Sequence, residues 1–333
     1  MEVTVIVPNY NGMKFIDTCL AALEQQSIKD FKTLVIDNGS SDGSIEFIRT
    51  KYPKVHLVER GENYGFSNAV NTGIQMADTP YVILLNNDTQ VEELFVEELV
   101  KAIKKNPKCF SCSSKMLHFI ERHLLDDAGD LYTVVGWQFQ RGVGRLETKY
   151  NKAVKVFSAC AGAAIYRRQV FEKIGYFDEG HFAYLEDIDV GYRARIYGYE
   201  NMFCPSARVY HVGSGTSGSK YNEFKVKLSV RNSVYLNYKN MPILQLLINA
   251  VPLIIGYLVK WLFFIRIGFG KTYINGLKEG LNTLSNCRKV PFRWKNLKNY
   301  LKIELELIGN TFIYVYEFVM RRLMKLGEKI DKR

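Results

Sequence analysis

Four short apolar runs, at 3–7, 31–36, 55–58 and 81–85, punctuate the first hundred residues. Each is dominated by Val, Ile and Leu and lacks a strict polar/apolar alternation. A strand with one solvated face alternates, whereas a strand covered on both faces reads as a nearly continuous apolar run. Helix-patterned segments separate the runs. In the first, Phe15, Cys19 and Leu23 share a stripe with Ile16 and Leu20, and Asn11 or Asp17 is expected to cap its start. Ser44–Lys51, Phe66–Met76 and 91–105 follow. Strands alternating with helices predict a mostly parallel sheet sandwiched by helices.

From 109 to 166 the pattern changes to short strands and turns punctuated by Gly129, Gly136, Gly142 and Gly144. Helical segments are expected near Arg168 and Asp187, and strands at 201–204 and 207–211. No linker interrupts this stretch, so 1–219 is expected to form one α/β nucleotide-binding and catalytic domain. Residues 220–333 form a distinct extension. The front part carries 24 Lys+Arg against 27 Asp+Glu, and the extension 21 against 7, a local net charge of +14.

Residues 241–264 are apolar apart from Gln245, Asn249 and Lys260. Pro242 suits a first helical turn, and Pro252 and Gly256 should bend the helix. A second apolar stretch at 305–320 contains Glu306 and Glu317. Basic residues flank both, among them Arg266, Lys271, Arg293, Lys295, Lys298, Lys302, Arg321, Arg322 and Lys325, with Trp261, Phe263 and Phe264 placed like interfacial anchors. The pattern is expected to give a helical extension for membrane association or oligomerisation. Its segments lie on an anionic membrane surface, span the bilayer, or pack on the domain or a second subunit.

Nothing resembling a cleavable leader precedes the first strand, so the domain is expected on the cytoplasmic face of the cell membrane, bound peripherally. The six cysteines lack a disulfide-framework spacing. Cys109 and Cys112 form one CxxC, and His118 and His123 lie near enough to raise a zinc site; buried free thiols are the simpler reading.

Open α/β sheets bind ligands beyond the carboxyl ends of their strands. The loop Pro8-Asn9-Tyr10-Asn11 offers an aromatic ring and two amides there. Asp37 follows Leu34-Val35-Ile36 directly, and its carboxylate is expected to face the crevice and accept the N3–H of a pyrimidine. Asn38 comes next, in a turn that also suits a helix start. At the fourth tip, Asn86-Asn87-Asp88 places a carboxylate where a divalent cation bridging a diphosphate would sit. Glu186 and Asp187 open a helix and offer a general base. Acidic residues in a first turn also complement the helix dipole. His211, at a strand end before Gly213, Gly215 and Gly218, is a candidate metal or phosphate ligand.

Taken in order, Val5-Ile6-Val7-Pro8-Asn9-Tyr10-Asn11, Val35-Ile36-Asp37-Asn38-Gly39-Ser40-Ser41-Asp42-Gly43-Ser44, Asn63-Tyr64-Gly65-Phe66-Ser67-Asn68-Ala69-Val70-Asn71 and Leu85-Asn86-Asn87-Asp88-Thr89 resemble family 2 glycosyltransferases of the GT-A fold. Gly162-Ala163-Ala164, Phe177-Asp178-Glu179 and Tyr184-Leu185-Glu186-Asp187-Ile188-Asp189 extend the resemblance, which covers about 1–219. It is strongest to the rhamnosyltransferase branch of cell-surface polysaccharide synthesis. The resemblance implies a nucleotide-sugar donor, dTDP-rhamnose or a UDP-sugar, and inversion at the anomeric carbon. It implies a polyprenyl-diphosphate-linked glycan or growing polysaccharide as acceptor. Asp37 resembles the base-recognising aspartate, and Asn63, Gly65 and Asn68 join the donor-binding set. Asn86-Asn87-Asp88 stands in for the DxD motif, with asparagine at its first acidic position. Asp88 and His211 resemble the ligands of Mg²⁺ or Mn²⁺, Asp187 the catalytic base, and Glu186 its orienting partner.

Three rival classes are disfavoured by what the sequence lacks. A nicotinamide dehydrogenase would need a GxGxxG turn, and a serine hydrolase a GxSxG elbow. Nucleic-acid binding would need aromatics interleaved with the charge. A UDP-hexose or UDP-N-acetylhexosamine transferase on the same scaffold, or a catalytically inactive membrane-bound scaffold protein, are the alternatives to rhamnosyl transfer.

Overall fold

A computed structural model describes residues 1–213 and 221–330, with side chains to residue 320. Gly215 and Gly218 lie outside the described residues. The chain opens with β1 (Val3–Asn9), α1 (Met13–Glu24), β2 (Phe31–Asp37), α2 (Ser44–Lys51), β3 (His56–Glu59), α3 (Phe66–Met76) and β4 (Tyr81–Leu85). β5 (Thr89–Val91), α4 (Phe95–Lys104), β6 (Cys109–His118), β7 (Leu125–Asp127), β8 (Asp130–Tyr132), β9 (Gln138–Gln140), β10 (Val154–Val156) and β11 (Ala163–Arg167) follow. Then come α5 (Arg168–Ile174), α6 (Glu186–Ile196) and β12 (Glu200–His211).

The main sheet runs β10-β12-β6-β11-β4-β1-β2-β3. β3, β2, β1 and β4 are parallel, β11 is antiparallel to both its neighbours, and β12 is again parallel to β6. Val3, Val5 and Val7 of β1 enter a core shared with α1, α2 and α4, while Ile6 enters a second core shared with α3, α5 and α6. This two-sided burial explains the run that lacks alternation.

Three local expectations change. The helix expected from 91 begins only at Phe95, because Val91 is drawn into pairing with Val209 of β12. Neither Asn11 nor Asp17 caps α1; Gly12 occupies the cap, and Asp17 accepts from Lys51 and Tyr52. The two strands expected at 201–204 and 207–211 are one, β12, with a register shift between Cys204 and Arg208. Cys109 and Cys112 lie buried on β6 as free thiols with Sγ atoms 3.4 Å apart. Neither belongs to a metal-capable cluster among the described residues.

The extension consists of α7 (Glu223–Asn240), α8 (Ile243–Ile248), α9 (Ala250–Arg266), α10 (Gly270–Asn282) and α11 (Leu297–Ile330). The apolar segment breaks at Asn249, and Pro252 falls in the first turn of α9, where its missing N–H costs nothing. No helix among the described residues is long and apolar enough to cross a membrane. Leu236, Met241, Leu253, Ile303 and Leu307 share a third core with Tyr192 of α6 and Tyr132 of β8. The turn between β8 and β9 wedges between α9 and α11: Trp137 donates from Nε1 to the Gly256 carbonyl at 3.1 Å, and the Val134 N–H reaches Leu307 O at 3.2 Å.

Candidate active site

The tips of β1 and β4, the start of α6, the end of β12 and the first turns of α7 surround one cavity of about 790 Å³. Of the donor-site candidates, Pro8, Asn9, Tyr10, Asn38, Asn63, Gly65, Asn86, Asn87 and Asp88 line it. Glu186, Asp187 and His211 line it too. Asn11, Asp37 and Asn68 do not.

Asp37 corrects the expectation most clearly. Parallel pairing sets Asn9 beside Asp37. The Asp37 carboxylate is fully buried and accepts four hydrogen bonds, from Gly39 N (3.0 Å), Ser40 N (2.9 Å), Ser40 Oγ (2.6 Å) and Asn9 Nδ2 (2.7 Å). A carboxylate has about four lone-pair sites, so Asp37 is saturated by its own chain. It aims Asn9, whose Oδ1 accepts from Asn87 Nδ2 at 2.8 Å, and so ties the first strand tip to the fourth. Asn11 and Asn68 likewise brace: Asn11 Oδ1 accepts from Ser41 N at 2.9 Å, and Asn68 donates to Glu179 at 2.6 Å. Asn38 donates to Gly65 O at 3.0 Å and keeps a buried Oδ1 without a partner on the cavity wall. Gly65 has φ of 86°, and a Cβ there would lie 2.6 Å from Phe182 O, so glycine is required on both counts.

Sheet pairing also explains the Asp88–His211 meeting. β5 runs antiparallel to β12 with Thr89 opposite His211. His211 Nε2 lies 3.3 Å from Asp88 Oδ1, and Nδ1 lies 2.6 Å from Asp126 Oδ2. Burial opposes charge on this imidazole, but hydrogen bonds to Asp126 and Asp88 prevail and lift its pKa to about 10. A carboxylate oxygen beside an imidazole nitrogen, itself backed by a second carboxylate, fits a divalent cation that displaces the imidazole proton on binding.

Asp187 is half-buried at the start of α6, and its Oδ1 accepts from Ile188 N at 2.8 Å. Burial raises its pKa. Glu186 is raised also, by burial and then by Asp187, and its Oε2 is buried without a partner. Behind them, Asp189 is fully buried. Burial alone would raise its pKa, but Arg193 and Lys239 hold it well below the carboxylate range. Lys239 donates to it at 2.9 Å and Asn240 at 2.7 Å, which fastens α6 to α7.

Residue-by-residue reading missed the segment Asp126-Asp127-Ala128-Gly129-Asp130 and the α7 contribution. Asp127 and Asp130 are buried beside the half-buried Cys160, their ligand-capable atoms all within 4.8 Å, and burial raises both carboxyl pKas. Three carboxylates in five residues was the available signal. Lys225 of α7 brings a half-buried cation to the cavity, and Gln138 and Gln140 line it from β9.

Residues 4–175, just over half of the chain, match the family model described as Glycosyl transferase family 2. The chain is 26% identical over 239 residues to the N-acetylglucosaminyl-diphospho-decaprenol L-rhamnosyltransferase of Mycobacterium tuberculosis, covering 64% of this chain and 77% of that protein. Among solved structures it resembles S. aureus TarS residues 1–349 in complex with UDP-GlcNAc, with TM-score 0.56, 15% identity and coverage of 91% and 90%. It also resembles the mannosyltransferase PcManGT from Pyrobaculum calidifontis in complex with GDP-Man and Mn²⁺, with TM-score 0.54, 16% identity and coverage of 87% and 76%. At these identities the two structures support a shared GT-A-like fold. The similar proteins span several sugar-transferase branches rather than rhamnosyl transfer alone.

Proposed function

The chain belongs to glycosyltransferase family 2, and from that premise we propose an inverting transfer from a nucleoside-diphosphate sugar to a hydroxyl of a lipid-linked or growing cell-surface glycan. The observation that carries this reading is the convergence of Asp88, His211 and Asp187 on one cavity with Asn9, Tyr10 and Asn38. A UDP-hexose or UDP-N-acetylhexosamine is the favoured donor class. dTDP-rhamnose is the second reading, favoured by the mycobacterial relative. Uracil and thymine present the same N3–H, so the choice between these donor classes rests on the sugar rather than on the base. Tyr10, about one-third exposed, offers a ring for stacking.

Asp88 and His211 would hold Mg²⁺ or Mn²⁺, which when bound supplies charge neutralisation for the departing diphosphate. Lys225 adds positive charge on the α7 side. Asp187 accepts the proton of the acceptor hydroxyl as that oxygen attacks the anomeric carbon, and a single displacement inverts the centre. Glu186, held neutral by its burial, leaves Asp187 as the ionised member of the pair.

The extension supports peripheral docking on the anionic cytoplasmic face of the cell membrane. Ile243, Leu244, Leu247 and Ile248 of α8 are each more than 60% exposed, and Leu305 and Phe312 of α11 more than 70%. Apolar faces of this kind mark an interaction surface. Exposed Arg266, Lys271, Arg293, Lys295 and Lys298 supply the charge an anionic leaflet would meet. Sedimentation with phosphatidylglycerol vesicles should capture the protein at low salt and lose the Leu244→Glu/Leu247→Glu variant. Unchanged capture of that variant would remove this face from the membrane contact, and concentration-dependent dimerisation that the variant abolishes would assign it to a second copy instead.

The decisive experiment for the activity is a mass-resolved screen of UDP-, dTDP- and GDP-sugars with a polyprenyl-diphosphate glycan acceptor, with and without EDTA. Transfer from one pyrimidine donor class is expected. Donor hydrolysis and transfer both absent across the panel would leave the inactive scaffold.

A further inference from the structure

Asp187 follows a turn that L-amino acids avoid. Phe182, Tyr184 and Leu185 have φ of 61°, 74° and 65°. This is the left-handed region, where Cβ crowds the backbone and glycine or asparagine is the usual occupant. None of the three is either. Such a turn persists only when its surroundings over-determine it, so its carbonyls should be held by another element.

That element is α7. Asn232 is fully buried, and its Nδ2 lies 2.9 Å from His181 O, 2.8 Å from Ala183 O and 2.8 Å from Tyr184 O. Arg231 adds bonds from its guanidinium to Gly180 O at 2.8 Å and His181 O at 3.1 Å. Its Nε donates to Asn232 Oδ1 at 3.1 Å, which fixes which way the amide points. From the other side, Ser67 N donates to Phe182 O at 3.2 Å. The turn is therefore gripped by donors from α7 and α3, and Glu186 and Asp187 emerge from it directly.

Resting on the reading of Asp187 as the base, we propose that Asn232 is a positioning residue: its amide gathers three carbonyls of the 181–184 turn and so sets where Asp187 meets the acceptor hydroxyl. The extension then has a role inside the active site as well as at the membrane. The side chain is poorly replaceable. Leucine has its shape but no donor, and aspartate at neutral pH would turn a charge toward three carbonyl oxygens.

The test uses the full chain carrying Asn232→Ala, Asn232→Asp or Arg231→Ala. It measures kcat, UDP affinity by calorimetry, and hydrogen exchange of peptides spanning 181–187. Misplacing a catalytic group by about 1 Å costs on the order of 100-fold, so Asn232→Ala should lower kcat about 100-fold and Asn232→Asp at least as much. UDP affinity should stay within about threefold, because its other contacts rest on the strand tips. Exchange at 181–187 should quicken about tenfold while β1 and β4 remain protected. Should both Asn232 variants fail to fold, Arg231→Ala must show the same pattern in weaker form. Unchanged exchange at 181–187, or kcat falling only in step with UDP affinity, would overturn the proposal. Near-normal turnover in Asp187→Asn would instead refute the base assignment, and the exchange result would still decide whether Asn232 holds the turn.

Discussion

Replacing Asp37 by asparagine separates two roles that the motif alone leaves joined. The carboxylate accepts four hydrogen bonds from inside the chain. In the amide, one oxygen can still serve the Gly39 and Ser40 N–H groups, but the NH₂ group faces Asn9 Nδ2, a donor against a donor. The charge-assisted bonds from Asn9 Nδ2 and Ser40 Oγ are both lost, and Asn9 Nδ2 keeps only the Ser44 and Ser40 hydroxyls, at 3.0 and 3.2 Å, a cost of about 2–3 kcal/mol. For a chain of 333 residues that corresponds to a fall in Tm of roughly 3–4 °C. Asp37 does not line the cavity, so UDP affinity measured well below the variant's Tm should change by less than about threefold. Scanning calorimetry and titration calorimetry on the same preparation read both quantities. A variant with parental Tm and UDP affinity weakened more than about tenfold, equivalent to about 1.4 kcal/mol, would show that Asp37 meets the base itself.

Removing the second carboxylate behind His211, by Asp126→Asn, should raise the Mn²⁺ concentration for half-maximal activity about 10–100-fold; an unchanged metal titration would remove Asp126 from the site. Glu186 provides a pH test. Its pKa is raised in the fold, so its contribution to stability is full below the ordinary glutamate pKa and is lost as pH rises through the raised value. Glu186→Gln, which cannot ionise, should therefore gain urea resistance over the parent at about pH 8 and gain nothing at about pH 4. Equal effects at both would contradict the burial argument.

The parallel half of the sheet was legible because β1, β2 and β4 are apolar on both faces, a pattern with few other readings. Loop geometry was less so. Asp37 lies at the strand tip where a ligand contact is expected, yet three bonds from the following Gly39-Ser40 turn and one from Asn9 across the sheet turn its carboxylate inward. Asn68 is likewise taken by Glu179. His211 was a lone histidine in sequence; only the pairing of β5 with β12 brings it to Asp88 and Asp126. The apolar stretch from 241 read as one bent helix because Pro252 suits a kink as well as the first turn of a new helix, which is where it falls. Asn232 carries no local signal at all, since its partners lie about 50 residues upstream.

Turnover of Asp187→Asn is the most direct measurement of the central claim. The structure places this carboxylate in the cavity with its pKa raised by burial, where proton acceptance near neutral pH is favoured. The variant should bind UDP within about threefold of the parent while transfer falls by about 10²–10⁴-fold, the usual range for removing a general base. Near-parental transfer by the folded variant would show that the proton leaves by another route and that the cavity works differently from this account.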